Sequence, residues 1–216
     1  MNYLELVNDV LVRLREDEVT AVTDTPYSKL ISKYVNDAKR IVEDSYEWAG
    51  LTETLTVTTA NNLFNYVLTG AGQRFKVLDV INSEDNIFLQ YVTTSVMNGW
   101  FLNADNTQTG SPTHYNFNGV NANGDTQVDV YPIPDGVYNV FFNVYKPQDP
   151  LSANSDVLIV PSEPVIKYAY AMAVAERGED GGLSAQEATA LADQSLSDHI
   201  AIAQSRRPEE YLWHSV

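Results

Sequence analysis

The sequence predicts an α+β protein: N- and C-terminal helices form a four-helix bundle, and an antiparallel β-barrel or sandwich is inserted between them. Two observations carry this. Apolar residues recur at three- and four-residue steps near both ends of the 216-residue chain. From Leu51 onward the middle changes period, to short alternating β-branched runs separated by Asn, Gly and Asp. The implied parts are a helical hairpin over residues 1–50, a β domain over 51–160, a second helical hairpin over 161–205 and an extended tail over 206–216.

The elements follow in order. Leu4, Val7, Val10, Leu11 and Leu14 make one apolar stripe, predicting a helix over residues 2–16 that stops at the acidic run Glu16–Glu18. Thr25 is placed to cap a second helix with Pro26 in its first turn, and Leu30, Ile31, Tyr34, Val35, Ala38, Ile41, Val42 and Ser45 trace one broad face. Trp48 is expected to anchor the core, and Gly50 to supply a left-handed stop. Thr52 to Thr59, Leu63 to Leu68, Arg74 to Ile81 and Ile87 to Val92 read as strands, with turns at Asn61-Asn62 and Gly70-Ala-Gly72. Thr93 to Met97 is expected to make a short helical turn and Asn98 to Gly110 a polar loop over Trp100 and Phe101.

From Thr109 to Pro161 the pattern reads strand, tight turn, strand and extended exit. Val128, Val130 and Ile133 supply the apolar side chains around the first strand, and Val140, Phe142 and Val144 alternate with Phe141, Asn143 and Tyr145 in the second. Pro132-Ile-Pro-Asp-Gly136 between them predicts a hairpin turn, with proline setting φ and Gly136 taking a positive φ. Asn118 to Thr126 reads as a flexible hairpin tip. Pro164 opens a third long helix, rich in small residues at Ala169, Ala171, Ala173 and Ala175, and closed by Gly178 to Gly182. Ser184 with Glu187 is a capping box opening a fourth, which runs to about Gln204 and cannot pass Pro208.

Composition excludes several function classes. Thirteen Lys and Arg against 29 Asp and Glu leave a formal charge of −16. That argues against a surface that grips nucleic acid, which requires clustered cations to release counterions from phosphate. With no cysteine there is no disulfide, thiolate nucleophile or thiolate zinc ligand, as fits a reducing cytosol. Neither a signal peptide nor a membrane-length apolar run of ~20 residues is visible. His114, His199 and His214 lack second ligands at metal spacing, Gly70-Ala-Gly72 is no dinucleotide fingerprint, and Asn121 to Asp125 lacks the distal glutamate of a calcium loop. Neither G-x-S-x-G nor H-E-x-x-H occurs. No catalytic, metal or cofactor residue is nominated, and the chain is not expected to be an enzyme.

The run Gly110-x-Pro112-x-x-Tyr115, Tyr131-Pro132-x-Pro134-Asp135, Tyr145 and Leu151-Ser-Ala-x-Ser-Asp156, leading into Pro161-Ser-Glu-Pro164, resembles the head–tail adaptor proteins of short-tailed bacteriophages, the head-completion or tail tubular A-like proteins. The helix–β–helix layout extends the resemblance to most of the chain. It implies a virion structural protein at the head–tail junction, assembled in the host cytoplasm. It further implies a twelvefold homo-oligomeric ring on the portal protein, helices toward the portal and β units toward the tail nozzle. Genomic DNA would pass through the lumen without sequence-specific contact, and no membrane or cofactor is involved.

The tail supplies the candidate interface. Arg206 and Arg207 stand where a helix end favours cations, Pro208 frees the chain, and Tyr211, Leu212 and Trp213 follow, residues typical of interface anchors. Arg206, Arg207, Tyr211, Leu212, Trp213 and Val216 are the residues expected to meet the portal. The competing expectation is that the tail folds back on the helices. A rival function is a carbohydrate- or small-molecule-binding β domain on a helical scaffold, with Trp100, Phe101 and Tyr115 as an aromatic platform.

Overall fold

The computed structural model describes residues 1–102, 107–178 and 184–206. In chain order the elements are helices α1 (Tyr3–Arg13) and α2 (Pro26–Ser45), a 3-10 turn (Ala49–Leu51), strands β1 (Thr52–Thr58), β2 (Asn65–Val67), β3 (Lys76–Asn82), β4 (Ile87–Phe88) and β5 (Gln90–Tyr91), helix α3 (Thr94–Leu102), strands β6 (His114–Val120), β7 (Thr126–Tyr131) and β8 (Asn139–Tyr145), and helices α4 (Ser162–Arg177) and α5 (Ala185–Ser205). They fall into two compact units, Met1–Leu51 with Pro147–Val216, and Thr52–Lys146. The four long helices α1, α2, α4 and α5 thus belong to one unit, and all eight strands with α3 to the other, as in an α+β chain.

In the helical unit, reciprocal capping boxes open α1 (Asn2 with Glu5), α2 (Thr25 with Ser28) and α5 (Ser184 with Glu187). Each satisfies amides that the helix itself leaves without partners. Leu6, Val7 and Val10 of α1, Ile31, Val35 and Val42 of α2, Val165, Ala169 and Ala173 of α4, and Ala192 of α5 share one buried core. Helix α4 packs against α1, α2 and α5, and its alanines allow that close approach. Gly178, at φ 61°, closes it in the left-handed region that glycine adopts without strain.

Two local expectations are corrected here. Helix α1 ends at Arg13, with Leu14 as its cap, and α2 ends at Ser45, with Tyr46 extended at φ −156°. Gly50 is not a left-handed stop. It lies in the 3-10 turn, where a Cβ would come within 2.8 Å of Ile159 Cγ2, so glycine serves close approach there. Trp48 is buried, and its Nε1–H donates to the Val42 carbonyl at 2.7 Å, which makes it a core anchor.

The segment 147–160, assigned to the β region by its pattern, lies with the helices instead. Polar side chains of α2 take up backbone groups that a sheet would otherwise have paired. Asn36 accepts from Leu151 N–H at 2.8 Å and donates to Leu151 O at 3.0 Å. Lys39 Nζ donates to Gln148 O at 2.6 Å, while Gln148 N–H donates to Glu43 Oε1 at 3.1 Å. Lys39 and Glu43 are themselves 3.0 Å apart and buried. The Leu151–Asp156 motif receives the start of α1, with Leu4 N–H on Asn154 O and Tyr3 N–H on Asp156 O.

The β unit is two four-stranded sheets, ordered β1-β8-β3-β4 and β2-β7-β6-β5, and they do not close into a barrel. Leu55, Val57, Val80, Val140, Phe142 and Val144 of the first sheet and Tyr66, Tyr115, Val128 and Val130 of the second fill a common core. Tyr115 and Phe142 meet edge to face at 5.7 Å between them. The predicted hairpin across Pro132–Gly136 does not form: β7 pairs with β6 and β2, whereas β8 pairs with β1 and β3. Pro132 and Pro134 have no N–H for a ladder, so the chain leaves one sheet there and enters the other. Gly136 has no positive φ, and a Cβ would meet nothing closer than Tyr138 Cε2 at 3.8 Å. The hairpin of this region is β6–β7, turning at Asn121–Gly124, where Gly124 has φ 89°. Asn121 Oδ1 accepts from the amides of Asn123 and Asp125 and so closes that turn. The segment after Val92 is a nine-residue helix rather than a brief turn, and it includes Trp100 and Phe101.

Candidate functional site

The last turns of α5 border a groove within the helical unit. Trp48 and Gly50 line it from the turn after α2, Ile159 from the segment before α4, and His199, Ile202 and Arg206 from α5. Its volume is about 480 Å³. His199, Ile202 and Arg206, with Ala203, share one helical face because they recur at three- and four-residue steps. Gly50 contributes by having no side chain, which leaves Ile159 room at the wall. Ile159 and Ile202 are half-exposed, at 49% and 52%, so the groove presents apolar surface to water.

Its electrostatics are local. His199 Nδ1 lies 2.8 Å from Ser195 O; a carbonyl can only accept, so Nδ1 carries the proton. Nε2 then faces Glu163 Oε2 at 3.9 Å. Lys167 donates to Glu163 at 2.7 Å, and this hydrogen bond holds the Glu163 carboxyl below its ordinary range, with the nearby charges of Lys167 and His199 adding to it. Arg206 stands at the mouth as the C-cap of α5, its N–H on Ala203 O at 3.2 Å.

Of the interface residues nominated from sequence, Arg206 is thus on the groove, while Arg207, Tyr211, Leu212, Trp213 and Val216 lie outside the described residues. Sequence reasoning missed Ile159 and Gly50. An apolar residue between two helix signals, Ile159 before Pro161, was the available hint.

The rival aromatic platform is not assembled. Trp100 stacks on Tyr131 at 4.6 Å and meets His114 edge-on at 5.2 Å, and Phe101 packs on Phe64 at 4.3 Å. Tyr115 points the other way, into the sandwich core, because neighbours on a strand face opposite sides. Trp100, Thr113, His114 and Tyr131 instead border a shallow hollow of about 380 Å³. Among the described residues there is no group of three or more His, Asp or Glu placed to hold a metal ion, and no helix is long and apolar enough to cross a membrane.

Comparison with protein families finds a match over residues 1–212 to the model described as SU10 adaptor protein. The chain belongs to that family. A search of the curated proteins returns no match. As an SU10 adaptor the chain is a phage head–tail adaptor, a structural protein of the virion, in line with the resemblance carried by Gly110 to Pro164. The matched span includes the β unit, all of the helical unit up to residue 212 and the whole of the groove.

Proposed function

We propose that this SU10 adaptor forms a twelvefold ring joining the portal protein to the tail nozzle of a short-tailed phage. The four long helices act as a bundle toward the portal and the β unit faces the nozzle. The observation that carries this reading is the family match across residues 1–212. The charge of −16 supports two further parts of it. Like charge opposes packing subunits side by side in solution, so the ring assembles on the portal rather than before it. An acidic lumen does not neutralise phosphate, so the genome slides past without sticking. The tail from Arg206 to Val216 docks between portal subunits, with Tyr211, Leu212 and Trp213 as its anchors.

The test is mass measurement after mixing the purified chain with its portal. The expected result is a monomer alone at micromolar concentration and about twelve copies on each portal ring. Substituting serine for Tyr211, Leu212 and Trp213 together should leave the chain folded and abolish the portal complex. No mass increment with the unaltered chain would overturn the reading. Stable rings without portal, or tight salt-sensitive DNA binding, would overturn its assembly order or its lumen.

A further inference from the structure

Among the described residues, the groove at the foot of α5 presents apolar surface beside Arg206, the last of them. We propose that it is a seat for the chain's own segment Glu209–Trp213, occupied in the unassembled subunit. The seat is defined by residues of the helical unit alone and does not depend on what the tail later binds.

Length permits it. Ten residues follow Arg206, which stands at the groove mouth. The groove runs along α5 from His199 to Arg206, roughly 10 Å at about 1.5 Å per helical residue. Tyr211 to Trp213 come five to seven residues after Arg206, a reach of roughly 16–23 Å when extended. Pro208 has no N–H with which to extend the helical ladder of α5.

Composition matches. Tyr, Leu and Trp are costly to leave in water, and Ile159 and Ile202 are the half-exposed apolar walls that could cover them. Charge matches as well. Glu209 and Glu210 precede the apolar triplet, whereas Arg206 and the imidazole of His199 are the groove's cationic and titratable groups. Glu163, the carboxylate facing His199 from α4, is already engaged by Lys167, so it does little to repel the incoming glutamates.

The absence of native cysteine allows a direct test on the full chain. Ile202→Cys with Leu212→Cys places one thiol on the seat and one on the segment; Ala190→Cys with Leu212→Cys is the control, roughly 18 Å further up the same helix. Under mild oxidation the first pair should close within one chain at least about tenfold faster than the control. Equal rates would overturn the seat. A cross-linked dimer as the main product would show that a second copy supplies the segment, which also overturns it. A second measurement leaves Ile202 intact: amide hydrogen exchange over residues 199–206 in the unaltered chain and in the Tyr211→Ser, Leu212→Ser, Trp213→Ser variant. Exchange should be several-fold faster in the variant, and unchanged exchange would overturn the proposal. Neither measurement involves portal, so loss of portal binding with the seat intact would count against the adaptor ring alone.

Discussion

Replacing Lys39 with methionine takes the cation away from a carboxylate that water does not reach. The side chains of Lys39 and Glu43 are 4% and 0% exposed and 3.0 Å apart, one turn apart on α2. Both also hold Gln148, through its carbonyl at 2.6 Å and its amide at 3.1 Å. Methionine retains most of the lysine stem, so packing changes little and the charge is what disappears. Removing one partner of a buried pair costs about 3–5 kcal/mol, whereas replacing both with apolar residues is often neutral. For a chain of this size each kcal/mol moves the midpoint by about 2–4 °C, so Lys39→Met should lower the melting temperature by about 6–20 °C. Lys39→Met with Glu43→Leu should recover at least half of that loss. Thermal unfolding followed by circular dichroism at neutral pH reads both. A single-variant loss below about 1 kcal/mol would mean that the pair behaves as a solvated one. A double variant no better than the single one would equally refute the reasoning.

Three further outcomes are expected. Tyr168 donates to Asp193 at 2.5 Å, and burial together with that carboxylate raises its pKa; its contribution to stability is therefore complete below about pH 10 and is lost progressively as pH rises beyond that toward the raised folded value. Tyr168→Phe should cost about 0.5–1.5 kcal/mol at neutral pH and flatten the alkaline limb of a stability–pH curve, and an unchanged limb would contradict this. Asp156 accepts the amides of Ser152 and Ala153 at 2.7 and 2.8 Å, which holds its carboxyl below the ordinary range, so its contribution is present above about pH 4 and fades on further acidification. Asp156→Asn should loosen the segment that receives α1, seen as faster hydrogen exchange at the amides of Tyr3, which donates to Asp156 O, and of Leu158, which donates to Met1 O at 3.1 Å, and should reduce the acid sensitivity of unfolding. Gly178→Ala, at φ 61°, should cost about 1–2 kcal/mol, whereas Gly136→Ala should change stability by less than about 0.5 kcal/mol; equal urea midpoints for the two would refute the backbone assignment.

What could be read from sequence was what depends on near neighbours. Thr25-Pro26, Ser184 with Glu187, and Gly178 mark helix ends through contacts within four residues, and each stands where the pattern put it. The alternation of Val140, Phe142 and Val144 named the buried face of β8, and those side chains are in the core. The same alternation cannot distinguish a strand that pairs with Val128 and Val130 from one that faces them across a core. Facing is what occurs, and the expected hairpin failed for that reason. Gly50 misled because glycine after a helix usually marks a left-handed cap, while here it is required by Ile159, a neighbour only in the fold. The groove was legible at Arg206 alone, since its walls come from three separate stretches of chain.

The β unit begins and ends on paired strands: Thr52 lies opposite Tyr145 in the β1–β8 ladder, and Lys146 reaches Glu53 at 3.4 Å. Directly opposed residues in an antiparallel ladder are about 4.5–5.5 Å apart at their Cα atoms. For the helical unit, ninety-odd inserted residues therefore amount to a gap that a short turn could bridge, and its loop-closure entropy is set by that gap rather than by the length of what fills it. Lengthening, shortening or exchanging the two-sheet unit leaves the span between Leu51 and Pro147 untouched. One helical scaffold can in this way carry many different β attachments, each grafted at the same pair of positions.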